Sequence, residues 1–336
     1  MKPFILAIAL LLAVYPARAK PEVEILYDGD DGLNNPFGIA FDQQQRMIIC
    51  EYLGGRLWRT TPDHHLERIA GTEAEGYAGD GGPLAEAIFN GMHNVAFDAK
   101  GQLFISDTRN NRIRSVDPQS GLINTLAGTD KKGFNGDGIP ANEAQLADPI
   151  SISMHPEGHQ LLIADLQNRR VRMVDLANGL IQTLAGNGQR GVPKDGALAL
   201  ESPLVDPRGV AADQNGNLYI LERNGHALRV VREGRITTIA GTGQAHAGDG
   251  PALEAGLNGP KHLCIDIDGS VIIADAENHL IKRYDPKRKT LETILGKGDT
   301  KLKRPHGVWV DAEGVLYVCD SWNDRVLRVN RTAYNK

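Results

Sequence analysis

Four stretches of the chain spell nearly the same phrase: LFISDTRNNRIRSVD at Leu103–Asp117, LLIADLQNRRVRMVD at Leu161–Asp175, IIADAENHLIKRYD at Ile272–Asp285 and LYVCDSWNDRVLRVN at Leu316–Asn330. Each is a short apolar strand ending in an acid, then a turn carrying asparagine, then another strand. Such a unit cannot cover its own apolar faces alone. Repeated along a chain, it must stack on copies of itself.

A second repeated feature counts the units. NPFGIAFD, GMHNVAFD, DPISISMH, DPRGVAAD, GPKHLCID and RPHGVWVD are short strands with turn residues in front. They end at Asp42, Asp98, His155, Asp213, Asp266 and Asp311, spaced by 56, 57, 58, 53 and 45 residues. A fourth strand closes five of the units: LERIAG, INTLAG, IQTLAG, ITTIAG and LETILG. The sixth unit stops after its third strand. Its missing partner stands at the other end of the chain, where VEILYDG, Val23 to Gly29, has the fourth-strand pattern. A chain that begins with a last strand and ends with a third one is built to close a ring, which removes the exposed sheet edges that invite association. The expected fold is all-β: a six-bladed β-propeller of four-stranded blades, closed by the N-terminal strand pairing with the last blade. The blades are predicted near 36–71, 92–128, 149–186, 207–241, 260–296 and 305–330, with the closing strand at 23–29. No stretch holds a helical period, so helices should be few.

These units resemble NHL repeats, whose name comes from Asn-His-Leu, present here at Asn278, His279 and Leu280. The resemblance runs over residues 23–330 and implies the propeller. It does not name an activity, because propellers host unrelated functions.

The first residues read as an address. Lys2 precedes an apolar run from Phe4 to Val14, and Ala17-Arg18-Ala19 has the small-residue pattern of a cleavage site. A signal peptide is expected over 1–19, leaving 20–336 as one exported domain, periplasmic or extracellular. The apolar run is too short to span a membrane. Without the leader, 35 basic residues face 42 acidic ones, a net charge of −7. That balance disfavours nucleic acid as a general partner. A monomer is expected. Three cysteines, Cys50, Cys264 and Cys319, form no disulfide framework and read as small buried residues.

Two sets of residues carry the functional reading. The turn acids Glu51, Asp107, Asp165, Glu222, Asp275 and Asp320 occur once in every unit, on turns expected to be exposed at one propeller face. A ligand site normally breaks such symmetry, so these acids are assigned to structure, accepting backbone N–H bonds. The position just before the Gly, Asn or Ser that starts strand one does break it: Phe37, His93, Ile150, Arg208, Lys261 and His306. Strand one lines a propeller's channel, so these six should meet at its mouth, with Arg208, Lys261, His93 and His306 as candidate ligand-binding residues. His93 and His306, joined by His262, could hold zinc. That pattern resembles the peptidyl-hydroxyglycine amidating lyases, which implies a metal-dependent lyase. The third histidine does not match, since His262 falls one position out of phase. Calcium is a further possibility at Asp80, Asp137 or Asp249 in the Gly-Asp-Gly loops. Lactonase-type propellers need acids around an axial ion, and no such set stands at the channel-lining positions. The reading favoured is an exported binding scaffold for a protein, peptide or carbohydrate, recognised on the loop-rich channel face. The alternative is a metal-dependent enzyme, amidating-lyase-like before lactonase-like.

Overall fold

Second strands such as Leu218–Glu222 and Val271–Asp275 are apolar until their final acid and buried at every position. A strand can be buried on both faces only if it lies between two other sheets. A ring of blades supplies that arrangement. The computed structural model describes residues 23–72 and 74–334. It contains six antiparallel sheets; in five of them strands one to four run outward in chain order, and in the last the N-terminal strand is outermost. Two blades gain a short outermost strand from the preceding connection, at Ile139–Pro140 and Gly250–Pro251. The core is correspondingly a set of apolar clusters, most of them joining neighbouring blades, such as Ile105 with Cys50 and Phe104 with Ile152.

The ring closes as the repeat order requires. Val23–Tyr27 pairs antiparallel with Arg325–Val329, with Val23 opposite Val329 and Ile25 opposite Leu327. The strand is shorter than the predicted 23–29, because Asp28 caps a 3-10 turn over Gly29–Asp31 and the chain bends away. The seam is also polar: Ser321 Oγ donates to Pro36 O at 2.6 Å, and Asn35 N donates to Asp324 Oδ1 at 2.7 Å. Around the axis the first strands approach closely. A Cβ on Gly38 would sit 2.8 Å from Asn94 Cα and 2.9 Å from Cys50 Sγ, so only glycine fits there. The leader predicted at 1–19 lies outside the described residues.

The repeated phrase has a mechanical meaning. All six turn acids are fully buried, which corrects their expected exposure. Each accepts a backbone N–H not from its own turn but from the lead-in to strand one. The donors are Asn34, Asn90, Ala147, Val205, Asn258 and Lys303. The turn asparagine ties the acid to the inter-blade connection. Asn278 Nδ2 donates both to Asp275 Oδ2 at 2.8 Å and to His246 O at 3.0 Å, and Asn110 bridges Asp107 and Gly76 in the same way. The next residue has a positive φ and reaches the following blade: His279 Nδ1 accepts from Arg304 N, and Asn111 Oδ1 from Asp148 N. The Asn-His-Leu signature is therefore a latch.

Two other expectations are corrected. The Gly-Asp-Gly acids face protein cations rather than an open calcium shell. Asp80 pairs with the fully buried Arg114 at 2.5 Å, Asp137 with Arg172 at 2.9 Å, and Asp249 with Lys282 at 3.3 Å. Threonines of the following blade complete these sites. Cys50 and Cys319 are buried, but Cys264 is only half-buried, because its short strand lines the open lower channel. Strand one of the last blade is only Val308–Val310, and His306 stands just before it, as expected.

Candidate functional site

The six positions that differ at the start of strand one meet at a single point. Phe37, His93, Ile150, Arg208, Lys261 and His306 surround the channel waist, where the free space is about 10 Å³, enough for one water at most. Above the waist the channel opens into a bowl of about 330 Å³ on the face that carries the turns. Below it an apolar funnel of about 300 Å³ opens to the opposite face. The two spaces are separate sites.

The bowl is cationic. Arg109, Arg208, Arg223, Lys261 and Arg304 line it, against one acid, Asp148, which Lys132 already holds at 3.0 Å. The cations differ in how far they are neutralised. Arg223 pairs with Asp206 at 2.8 Å; Lys261 and Arg304 share Glu277 at 3.0 and 2.8 Å. Arg208 is 6% exposed and makes no side-chain hydrogen bond or ion pair with any described residue, and its Nε is buried without a partner. Burial first, then Arg223, pulls its guanidinium down to about 10, with the more distant attraction of Asp206 working the other way, and it stays charged at neutral pH. Burial first and Arg208 second bring Lys261 down to about 8, with Glu277 working the other way.

The histidines hang on an aromatic wall. Phe37 stacks on His306 at 3.8 Å and on Tyr52 at 4.8 Å, while His93 meets both Phe37 and Tyr52 edge-on. His306 Nδ1 lies 3.1 Å from Arg304 O, so that nitrogen carries the proton. His93 Nδ1 lies 3.0 Å from Gly91 O and from Thr108 Oγ1, whose own proton goes to Pro149 O. Both Nε2 atoms are then acceptors, with no partner among the described residues. Burial and then Arg208 hold both rings well below their ordinary pKa, hence neutral.

His262 does not join them. Its Nε2 meets Asn94 Nδ2 at 3.1 Å and its Nδ1 accepts from Val308 N, so both nitrogens serve the channel wall. Among the described residues no three His, Cys, Asp or Glu side chains are grouped to hold a metal ion, and no carboxylate lines the waist or the funnel. Two histidines flanked by Arg208 and Lys261 repel a dication rather than bind one. The donor set does not fit zinc or calcium. The residues the sequence did not flag are Tyr52, Arg109, Arg223 and Arg304. The first three stand one or two places after a turn acid, and aligning the units there would have exposed them.

The profile described as SMP-30/Gluconolactonase/LRE-like region matches residues 91–334, well over half of the sequence. The chain belongs to this family. Among known proteins it is similar to NHL repeat-containing protein 2 of Gallus gallus, 29% identical over 84% of this chain and 44% of that one. It spans less than half the length of the first curated relatives it matches. In structure it resembles an auxiliary nutrient binding protein of Bacteroides thetaiotaomicron, with a TM-score of 0.64, 13% identity, and 89% and 69% of the two chains covered. A gluconolactonase of Xanthomonas campestris gives a TM-score of 0.62 at 13% identity, over 91% and 88%. At such identities the structures share a fold and nothing finer.

Proposed function

We propose that this propeller is a ligand-binding module of the exported space, whose bowl recognises an anionic group. The observation that carries the reading is Arg208. A buried guanidinium with no ion pair or hydrogen bond costs several kcal/mol, and sequences keep such a residue where a ligand supplies the missing partner. Two further features agree. The surrounding cations draw anions toward the waist, and the aromatic wall offers apolar contact to the rest of the ligand. The likeness to a nutrient-binding propeller is compatible with this reading, and the carboxylate-free axis weighs against ion-dependent lactone chemistry.

Arg208→Leu tests it. Without ligand the variant should melt at or above the wild-type temperature, because a costly buried charge has gone. Acetate at high millimolar concentration should raise the wild-type melting temperature beyond a matched chloride control and leave the variant unmoved. Equal shifts in both proteins, or none in wild type, would refute the proposal.

A further inference from the structure

If the bowl binds an anion, as proposed above, its floor asks for something more besides. That floor presents two kinds of unmet demand. Arg208 Nε is buried without an acceptor, while the Nε2 atoms of His93 and His306 are open acceptors. The two are complementary, because the tautomers fixed by Gly91 O and Arg304 O leave both Nε2 atoms as acceptors, yet no hydrogen bond joins Arg208 to either ring, so a ligand between them can serve both. Arg223 holds Asp206, and Lys261 and Arg304 share Glu277, leaving Arg208 as the floor cation with no ion pair. A carboxylate has the opposite charge and the planar geometry of a guanidinium partner. The donor must be neutral, because an ammonium group would sit beside Arg208 and Lys261.

We infer that the ligand carries a carboxylate for Arg208 and, on the adjoining carbon, a neutral proton donor for His93 or His306: an α-hydroxy acid or the carboxy-terminal residue of a peptide. The two sources share one chemistry, with O–H in the first and amide N–H in the second. Either can enter only from the turn-bearing face, since the waist stops anything larger than a water.

Four ligands on one carbon skeleton test the assignment in the intact protein: propionate, L-lactate, N-acetyl-L-alanine and L-alanine. Dissociation constants are measured by titration calorimetry at pH 6.5. Lactate or N-acetylalanine should bind roughly five-fold more tightly than propionate, the gain of one buried hydrogen bond. Alanine, with its ammonium, should bind more weakly than propionate. A gain for lactate alone assigns a small hydroxy acid; a gain for N-acetylalanine alone assigns a peptide terminus. In His93→Phe/His306→Phe, which keeps the aromatic wall, the gain should vanish while propionate binding persists. Should that variant misfold, the wild-type series decides alone. Equal affinities for propionate, lactate and N-acetylalanine would overturn this inference and leave anion binding standing. If none of the four binds, the reading beneath it falls as well.

Discussion

The latch formed by each turn acid can be tested at Asp165, which is fully buried in blade three. Its Oδ1 accepts from Ala147 N at 2.7 Å, its Oδ2 from Asn168 Nδ2 at 2.7 Å, and Arg172 Nη1 lies 3.7 Å away. Asp165→Ala leaves the Ala147 N–H without its acceptor, leaves Asn168 with Gly133 O alone, and leaves Asp137 as the one carboxylate paired with the buried Arg172. Hydrogen bonds to charged groups contribute about 1.5–3 kcal/mol each, and an orphaned buried donor costs a similar amount, so a loss of about 3–5 kcal/mol is expected. Asp165→Asn keeps the first acceptor but turns a donor toward Asn168, and should cost less.

The two variants also separate shape from charge. Burial, the largest influence, pushes Asp165 from 3.8 up to about 7, against the opposing bonds from Asn168 and Ala147. The folded protein therefore binds this proton more tightly than the unfolded chain. Stability contributed by protonated Asp165 is fully present below pH 4 and is lost as pH rises through about 7. Asparagine does not titrate. The advantage of wild type over Asp165→Asn should thus shrink between pH 4 and 7, by at most about 4 kcal/mol. Urea midpoints at pH 4.5, 6 and 7.5, read by tryptophan fluorescence, measure both effects. An alanine variant within 1 kcal/mol of wild type would refute the latch. A wild-type advantage that grows with pH would refute the burial argument.

Two more outcomes are expected from the geometry. Removing Val23–Tyr27 strips the outer strand from the last blade and uncovers the edge at Arg325–Val329, so the melting temperature should fall by roughly 5–10 °C and aggregation should rise; an unchanged melting curve would rule out the closure. Propionate binding should weaken as pH rises through about 8, where Lys261 loses its charge, and show no step near pH 6.5, where His93 and His306 are already neutral; Lys261→Met should flatten the profile, and a flat wild-type profile would count against a role for that charge.

The propeller was legible because its determinants are local and repeated six times. A strand ending in an acid and an Asn-bearing turn keep their spacing in every blade, and the position of VEILYDG states the ring closure outright. The Gly-Asp-Gly loops were harder to read. An acid between glycines suggests a cation, and the cation turned out to be protein: Arg114, 34 residues further along, was unremarkable in sequence because the groups that cover it, Tyr77, Asp80 and Phe89, belong to the preceding inter-blade connection. The depth of the turn acids was hidden for the same reason, since the N–H groups they hold stand 17 or 18 residues upstream.

The site comes from separating what the blades share from what they do not. Six acids in six equivalent places hold six strand lead-ins at one height above the waist, so the side chains that open strand one must converge whatever they are. Backbone symmetry thus fixes the distance to the axis, and sequence is left free to choose the chemistry there. Blades one and three chose Phe37 and Ile150, two and six chose His93 and His306, and four and five chose Arg208 and Lys261. A scaffold selected for stability alone would have filled all six places with apolar residues, as blades one and three do, and would not have buried an unpaired guanidinium. Arg208 is where the chain departs from its own best packing, and a ligand with the opposite charge is what makes that departure affordable.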